Sequence, residues 1–364
     1  MLIKPSSHAS SQRTTTSNKL HAFIYKMSRA LDPDTVAPVD NEVSQRVYHD
    51  IVEALCQDRS DLLEIEFLGK SYPLPAGCNV LVDGNSIGIP KGKLVQAFLV
   101  ARKLFFRSRN DPDNTNPQDI RHATAIILLM DPEHLTAANA RKRLIQSYQR
   151  NSPSHLEKEL NRELQWLDSM LTARLHRHTK SPTLWDHRRW ILGVWKSVHL
   201  PRDLQSDLTN VVLVSAERHP RNYYAWLHLR WLFKNLHDNG SRKDIDSKLL
   251  STVSHWCLRN PADIAGFSFL LFCLSRFPGD KERIDSSTGI CTDVLGPTNS
   301  FQWVHESVWV FLRTLVASGQ VVEKQTTDFF NTIESFLIVQ KDNYKAQIVL
   351  QAARDWCIEY GIKS

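Results

Sequence analysis

The chain has 364 residues, 42% of them apolar, enough for one long repeat array or for two domains of usual size. Its net charge of +6 is mild and lacks the concentrated stripe of a dedicated nucleic-acid binder, and no run of eighteen apolar residues occurs that could span a membrane. The six cysteines, Cys56, Cys78, Cys257, Cys273, Cys291 and Cys357, are scattered without a C-x-x-C pair or a secretory signal, which favours reduced thiols in the core of a cytoplasmic protein.

Residues 1–40 are rich in Ser, Thr and Pro and have no acidic residue before Asp32, the composition of a disordered tail, with Met27 a second candidate start. From Asn41 to about Gln57, Val43, Val47, Ile51 and Leu55 recur every fourth residue and predict a helix. Leu62 to Pro75 reads as a short extended pair around Gly69-Lys70. The stretch Asp83–Lys93 ends in Gly92-Lys93, yet Ile87 and Leu94 stand where a phosphate loop needs Gly and Ser or Thr, so it reads as a turn before a helix over 91–107. With the Asn-, Asp- and Pro-rich loop at 110–118, these pieces form an N-terminal cap region and linker over 41–118.

Beyond the linker nearly everything is helical. Leu156, Leu160, Leu164, Leu167 and Leu171 mark one amphipathic helix, and similar stripes lie near 119–130, 183–198, 203–217, 222–237, 245–258, 301–317 and 327–358. Between Phe277 and Ser300, Pro278-Gly279 and Gly296-Pro297 bracket a segment that reads as an irregular or lengthened half-unit.

Within this region one motif recurs. His219-Pro220-Arg221-Asn222-Tyr223-Tyr224-Ala225-Trp226, with Arg230 a turn later, has relatives at Trp185 (with Arg188), at Phe267 and at Trp309 (with Arg313). The aromatic positions are 41, 41 and 42 residues apart, and Ala138 marks a degenerate earlier copy. Asp131, Ser181 and Asn260 each precede a proline and read as helix caps, so each copy announces a helix start. About 40 residues hold two helices, and such a pair is stable only when stacked on its neighbours. The fold expected over 119–364 is therefore an all-α solenoid, an α-α superhelix of antiparallel hairpins with Trp185, Trp226, Phe267 and Trp309 at equivalent buried positions.

The densest local charge is Arg174, Arg177, Lys180, Arg188 and Arg189, with His176, His178 and His187 among them, a patch able to bind a diphosphate or an acidic partner. Each of these residues alone reads more simply as solvating a helix turn. No metal set is expected: His176 and His178 do not have the i, i+4 spacing that puts two imidazoles on one helix face. No hydrolase, dinucleotide-binding or kinase motif occurs.

The residues Asn222-Tyr223-Tyr224-Ala225-Trp226 with Arg230, and Trp185-Asp186-His187-Arg188-Arg189-Trp190, resemble the repeats of the protein prenyltransferase α subunits over about 120–360, most closely those of the divergent third branch. The resemblance implies a helical crescent around a separate β subunit, of which a Rab geranylgeranyltransferase-like one fits best, and that subunit would hold the catalytic zinc. The heterodimer would transfer an isoprenoid, with geranylgeranyl favoured over farnesyl, from its diphosphate to a C-terminal protein cysteine. It also implies that Lys180 is the catalytic cation that stabilises the leaving diphosphate, with His187, Arg188, Tyr223 and Tyr224 as accessible neighbours. Pro182 departs from the pattern, standing where farnesyl-transferring relatives have a tyrosine. The alternative is a helical-repeat scaffold that binds a β subunit or another protein without taking part in catalysis.

Overall fold

The computed structural model describes residues 42–57, 61–69, 72–111, 115–200, 203–235, 242–277 and 279–362; the expected tail at 1–40 lies outside them. The described protein is mostly helical with little strand, and none of its helices is long and apolar enough to cross a membrane. It divides into two compact units, Met1–Ile191 and Leu192–Ser364.

The first unit opens with α1 (Glu42–Cys56), whose four-residue period buries Val47, Ile51 and Leu55 while Val43 stays exposed. The expected extended pair inside 62–75 does not form. Instead β1 (Glu64–Leu68) runs parallel to β3 (Ser86–Pro90), which pairs antiparallel with β2 (Leu81–Asp83). The hairpin is thus the later one, turned by Gly84-Asn85, where Gly84 takes φ +55. Ile65, Ile87 and Ile89 are buried on one side of this small sheet. The chain continues as α2 (Lys91–Asn110), α3 (Pro117–Met130), α4 (Leu135–Asn151), α5 (Pro153–Thr172), the single turn α6 (His176–Thr179) and α7 (Pro182–Ser197). Helices α1, α2 and α3 pack on one another, α4 bridges α3 and α5, and α5 supports β1.

The second unit takes over within α7. A helical run follows, made of α8 (Leu204–Ser206), a π-helical stretch at Asp207–Val212 and α9 (Leu213–Arg218). Then come α10 (Tyr223–Asn235), α11 (Arg242–Arg259), α12 (Ile264–Leu274), α13 (Asp280–Phe301), α14 (Glu306–Ala317), α15 (Glu323–Val339) and α16 (Tyr344–Glu359). Packing is layered: α10, α12, α14 and α16 contact one another in succession, and so do α11, α13 and α15.

Two expected boundaries move. The segment expected to be irregular or lengthened is lengthened rather than irregular: it is the single 22-residue helix α13, which contains Pro297. The preceding Gly296 has no Cβ to clash with the proline ring, so helical backbone persists there. The expected helix over 327–358 is two helices, divided where the Asn343 side chain accepts the Ala346 N–H at 3.2 Å and caps α16.

The prolines announce helices less directly than expected. Only Ser181 caps at once, its Oγ accepting from the Leu184 N–H at 3.1 Å with Pro182 opening α7. Asp131-Pro132 and Asn260-Pro261 instead start turns closed by His134 N–H to Asp131 O (3.1 Å) and Asp263 N–H to Asn260 O (3.0 Å). The caps are the residues that close those turns. His134 accepts from Ala137 N–H, and Asp263 accepts from both Ala265 and Gly266 N–H.

The aromatic register is uniform. Trp185, Trp226, Phe267 and Trp309 are each the fourth residue of their helix and each buried, and Ala138 holds the same place in α4. Trp226 packs on Trp256 of α11 and Phe269 of α12 (ring centroids 5.2 and 5.3 Å). Phe267 meets Phe311 of α14, and Trp309 meets Phe329 and Phe336 of α15. The indoles of Trp185 and Trp309 donate to carbonyls six residues back, Thr179 O and Trp303 O, at 2.8 and 2.9 Å.

Candidate functional site

The structure takes the expected basic patch apart. Arg188 and His187 are fully buried, and so are not the accessible groups expected. α7 turns Arg188 inward onto α5, where its Nε donates to Asp168 Oδ1 at 2.6 Å and its second guanidinium nitrogen to Oδ2 at 3.3 Å. His187 Nε2 lies 3.4 Å from Glu163 Oε1, a carboxylate already held by Arg141 Nε at 2.7 Å. Burial outweighs that carboxylate and pushes the imidazole down to about 4. His178 is also buried and pushed down to about 4, with its Nε2 2.8 Å from Leu129 O.

The remaining arginines of the patch each face a carboxylate on the surface: Arg174 with Glu66 at 3.5 Å, Arg177 with Asp131 at 3.1 Å and Arg189 with Asp186 at 3.6 Å. Lys180 is half-buried at the C-terminus of α6, its backbone N–H donating to His176 O at 3.3 Å. A patch that looks strongly cationic in sequence is therefore locally compensated.

Tyr223 and Tyr224 are exposed on the first turn of α10, with Leu227 exposed one turn further on. Arg230 reaches across to α12, donating to Ser268 O at 2.8 Å and lying over the Phe272 ring. Arg313 does the same toward α16, donating to Ala352 O at 3.4 Å and covering Trp356. Both stand four residues after the aromatic, a place that Arg189, not Arg188, holds in α7. Lys196 makes the comparable bond from the end of α7 to Asn235 O. Arg230 and Arg313 thus tie consecutive helices of the α10–α16 layer together, and Lys196 ties α7 to α10.

Two open cavities lie along the other layer. A cavity of about 670 Å³ between α11 and α13 is lined by Ser251, Ser254, His255, Phe277, Ile290 and Asp293 among others. A second, of about 400 Å³, lies between α13 and α15 and includes Asn299, Gln325, Asp328 and Asn331. Thr292 lines both. The helices around them are bridged by amide-to-hydroxyl bonds: Gln325 Nε2 to Thr292 Oγ1 at 3.0 Å, Asn299 Nδ2 to Thr332 Oγ1 at 3.3 Å and Gln205 Nε2 to Thr252 Oγ1 at 3.3 Å. The sequence reading passed over these residues, although Ser247, Ser251 and Ser254 recur at helical spacing.

Fold and surface together define a mostly helical protein whose aromatic register recurs from helix to helix. Residues 184–288, from α7 into α13, are similar to the ECM9 middle domain, whose family model they match. No curated protein matches the chain. The family matched is not that of the prenyltransferase α subunits, and no other family evidence accompanies it, so that resemblance is corrected. The zinc-bearing β subunit, the isoprenoid diphosphate and the catalytic role of Lys180 were implied by the resemblance alone and lose that support with it.

Proposed function

We propose that this chain is a helical-repeat scaffold, a solenoid of antiparallel hairpins that binds another protein. The observation that carries the reading is the pair of adjoining open cavities along α11, α13 and α15, backed by a layer of helices locked by the Trp226, Phe267 and Trp309 rings. Stacked helix pairs of this kind present extended surfaces suited to gripping a partner, and a rigid layer behind such a surface lowers the ordering cost of binding.

The test replaces Thr292, which lines both cavities, by tryptophan. Partners of the wild-type chain are collected by cross-linking in cells, purified and titrated calorimetrically against both forms. A partner that binds the wild type and is lost on Thr292→Trp, with the circular dichroism unchanged, supports the scaffold. A set of captured proteins identical for both forms counts against it.

A further inference from the structure

The two cavities differ in charge from the chain that carries them. The chain bears +6, but among the described residues no Lys or Arg lines either cavity. Asp293 lines the first and Asp328 the second, and both are exposed. His255 is the one basic side chain described there.

The floor of the first cavity is apolar, with Leu250 and Ile290 buried and Leu258 and Phe277 half-buried. Its rim carries the hydroxyls of Ser251, Ser254, Ser286 and Thr292, and the walls of the second carry hydroxyls and amides, groups that can both donate to and accept from a peptide backbone. Helix α13 is the ridge between them, and the ridge has a low point. Gly296 lines the second cavity next to Pro297 in the first, and the space where a Cβ would sit is open. A chain can cross α13 there. Three packed helices at about 10 Å spacing put roughly 20 Å between the outer axes, which about six residues of extended chain cover.

We infer that the two cavities form one docking surface for an extended, basic peptide segment, which crosses α13 at Gly296, seats an apolar side chain on the Ile290 and Phe277 floor, and directs lysine or arginine toward Asp293 and Asp328. This rests on the scaffold reading and names the chemistry of its partner. Charge complementarity of this kind steers encounter and fixes which way the segment lies.

The probe is a fluorescent eight-residue peptide with two Lys, two Arg and a central Leu, titrated by anisotropy against the full chain. Matched peptides carry Gln or Glu at the four basic positions. The basic peptide is expected to bind saturably, to weaken as salt is raised, and to lose at least about tenfold in affinity when Asp293→Asn and Asp328→Asn are combined. Gly296→Gln, which raises the ridge without changing its charge, should weaken it as well. Equal affinity for the basic and Gln peptides, an unchanged affinity in the double variant, or no peptide binding overturns the inference. Photo-crosslinking residues placed in cells at Ser251, Asn331 and Tyr223 separate the two readings. A partner captured at Ser251 and Asn331 by a chain that shows no preference for the basic peptide overturns the docking inference and leaves the scaffold standing, whereas capture at Tyr223 alone or at no position overturns both.

Discussion

Arg188 and Asp168 show how a charge that looks functional in sequence becomes structural. Removing one member of a buried ion pair leaves the other uncompensated, so Asp168→Ala, which strands the fully buried Arg188, should destabilise the protein by about 3–5 kcal/mol in urea melts. The double change Asp168→Leu with Arg188→Met should recover much of that loss, because no charge is then stranded. His178 and His187 give the first unit a pH dependence of known sign. Their folded pKa values, about 4, lie below the ordinary imidazole value of 6.5, so the unfolded chain binds more protons in between. Their contribution is present above about pH 6.5 and is lost as pH falls toward 4. Thermal melts from pH 7 to 4.5 should fall in midpoint, and His187→Gln should flatten the slope. None of this was legible in the patch itself. The carboxylates that draw Arg188 and Arg141 inward lie some twenty residues away on α5, and nothing in local spacing marks an arginine as one that will meet them.

At the scale of the element, the 41-residue spacing was readable because every copy puts its aromatic at the same place, the fourth residue of a helix. What local reading missed were partners distant in sequence and caps displaced by a turn. β1 pairs with β3 more than twenty residues on, so the stretch around Gly69 gave no sign of it. Gly266 shows how tight the register is. In an isolated helix Gly→Ala gains about 1 kcal/mol. Here a Cβ would lie 2.6 Å from the Trp256 ring, whose own neighbour is Trp226. Gly266→Ala should therefore destabilise by about 1–3 kcal/mol, and a rise in melting temperature would show that α11 and α12 are not packed as described.

For the whole molecule, the match over 184–288 begins in the last helix of the first unit and ends in α13 of the second, so it covers only part of each element layer. The division into two compact units makes a prediction for hydrogen exchange. Phe267→Ala, which opens a cavity against Phe311, should cost about 3–5 kcal/mol and lower protection through α10–α16, while α1 to α5 keep theirs. Equal loss throughout would mean that the chain opens as one cooperative body.

The second unit also joins its helices by two different kinds of contact. Aromatic rings seal α10, α12 and α14 to their neighbours, whereas amide-to-hydroxyl bonds, which water can replace at little net cost, link α13 to α15. Trp256 of α11 and Phe329 and Phe336 of α15 belong to that aromatic spine as well, so both outer helices are held to it and α13 alone lies between them with, among the described residues, no ring contact to either. Exchanging those few polar bonds for water would loosen the α13 ridge while the spine stays shut, and a surface whose ridge can settle in this way would fit side chains of different bulk.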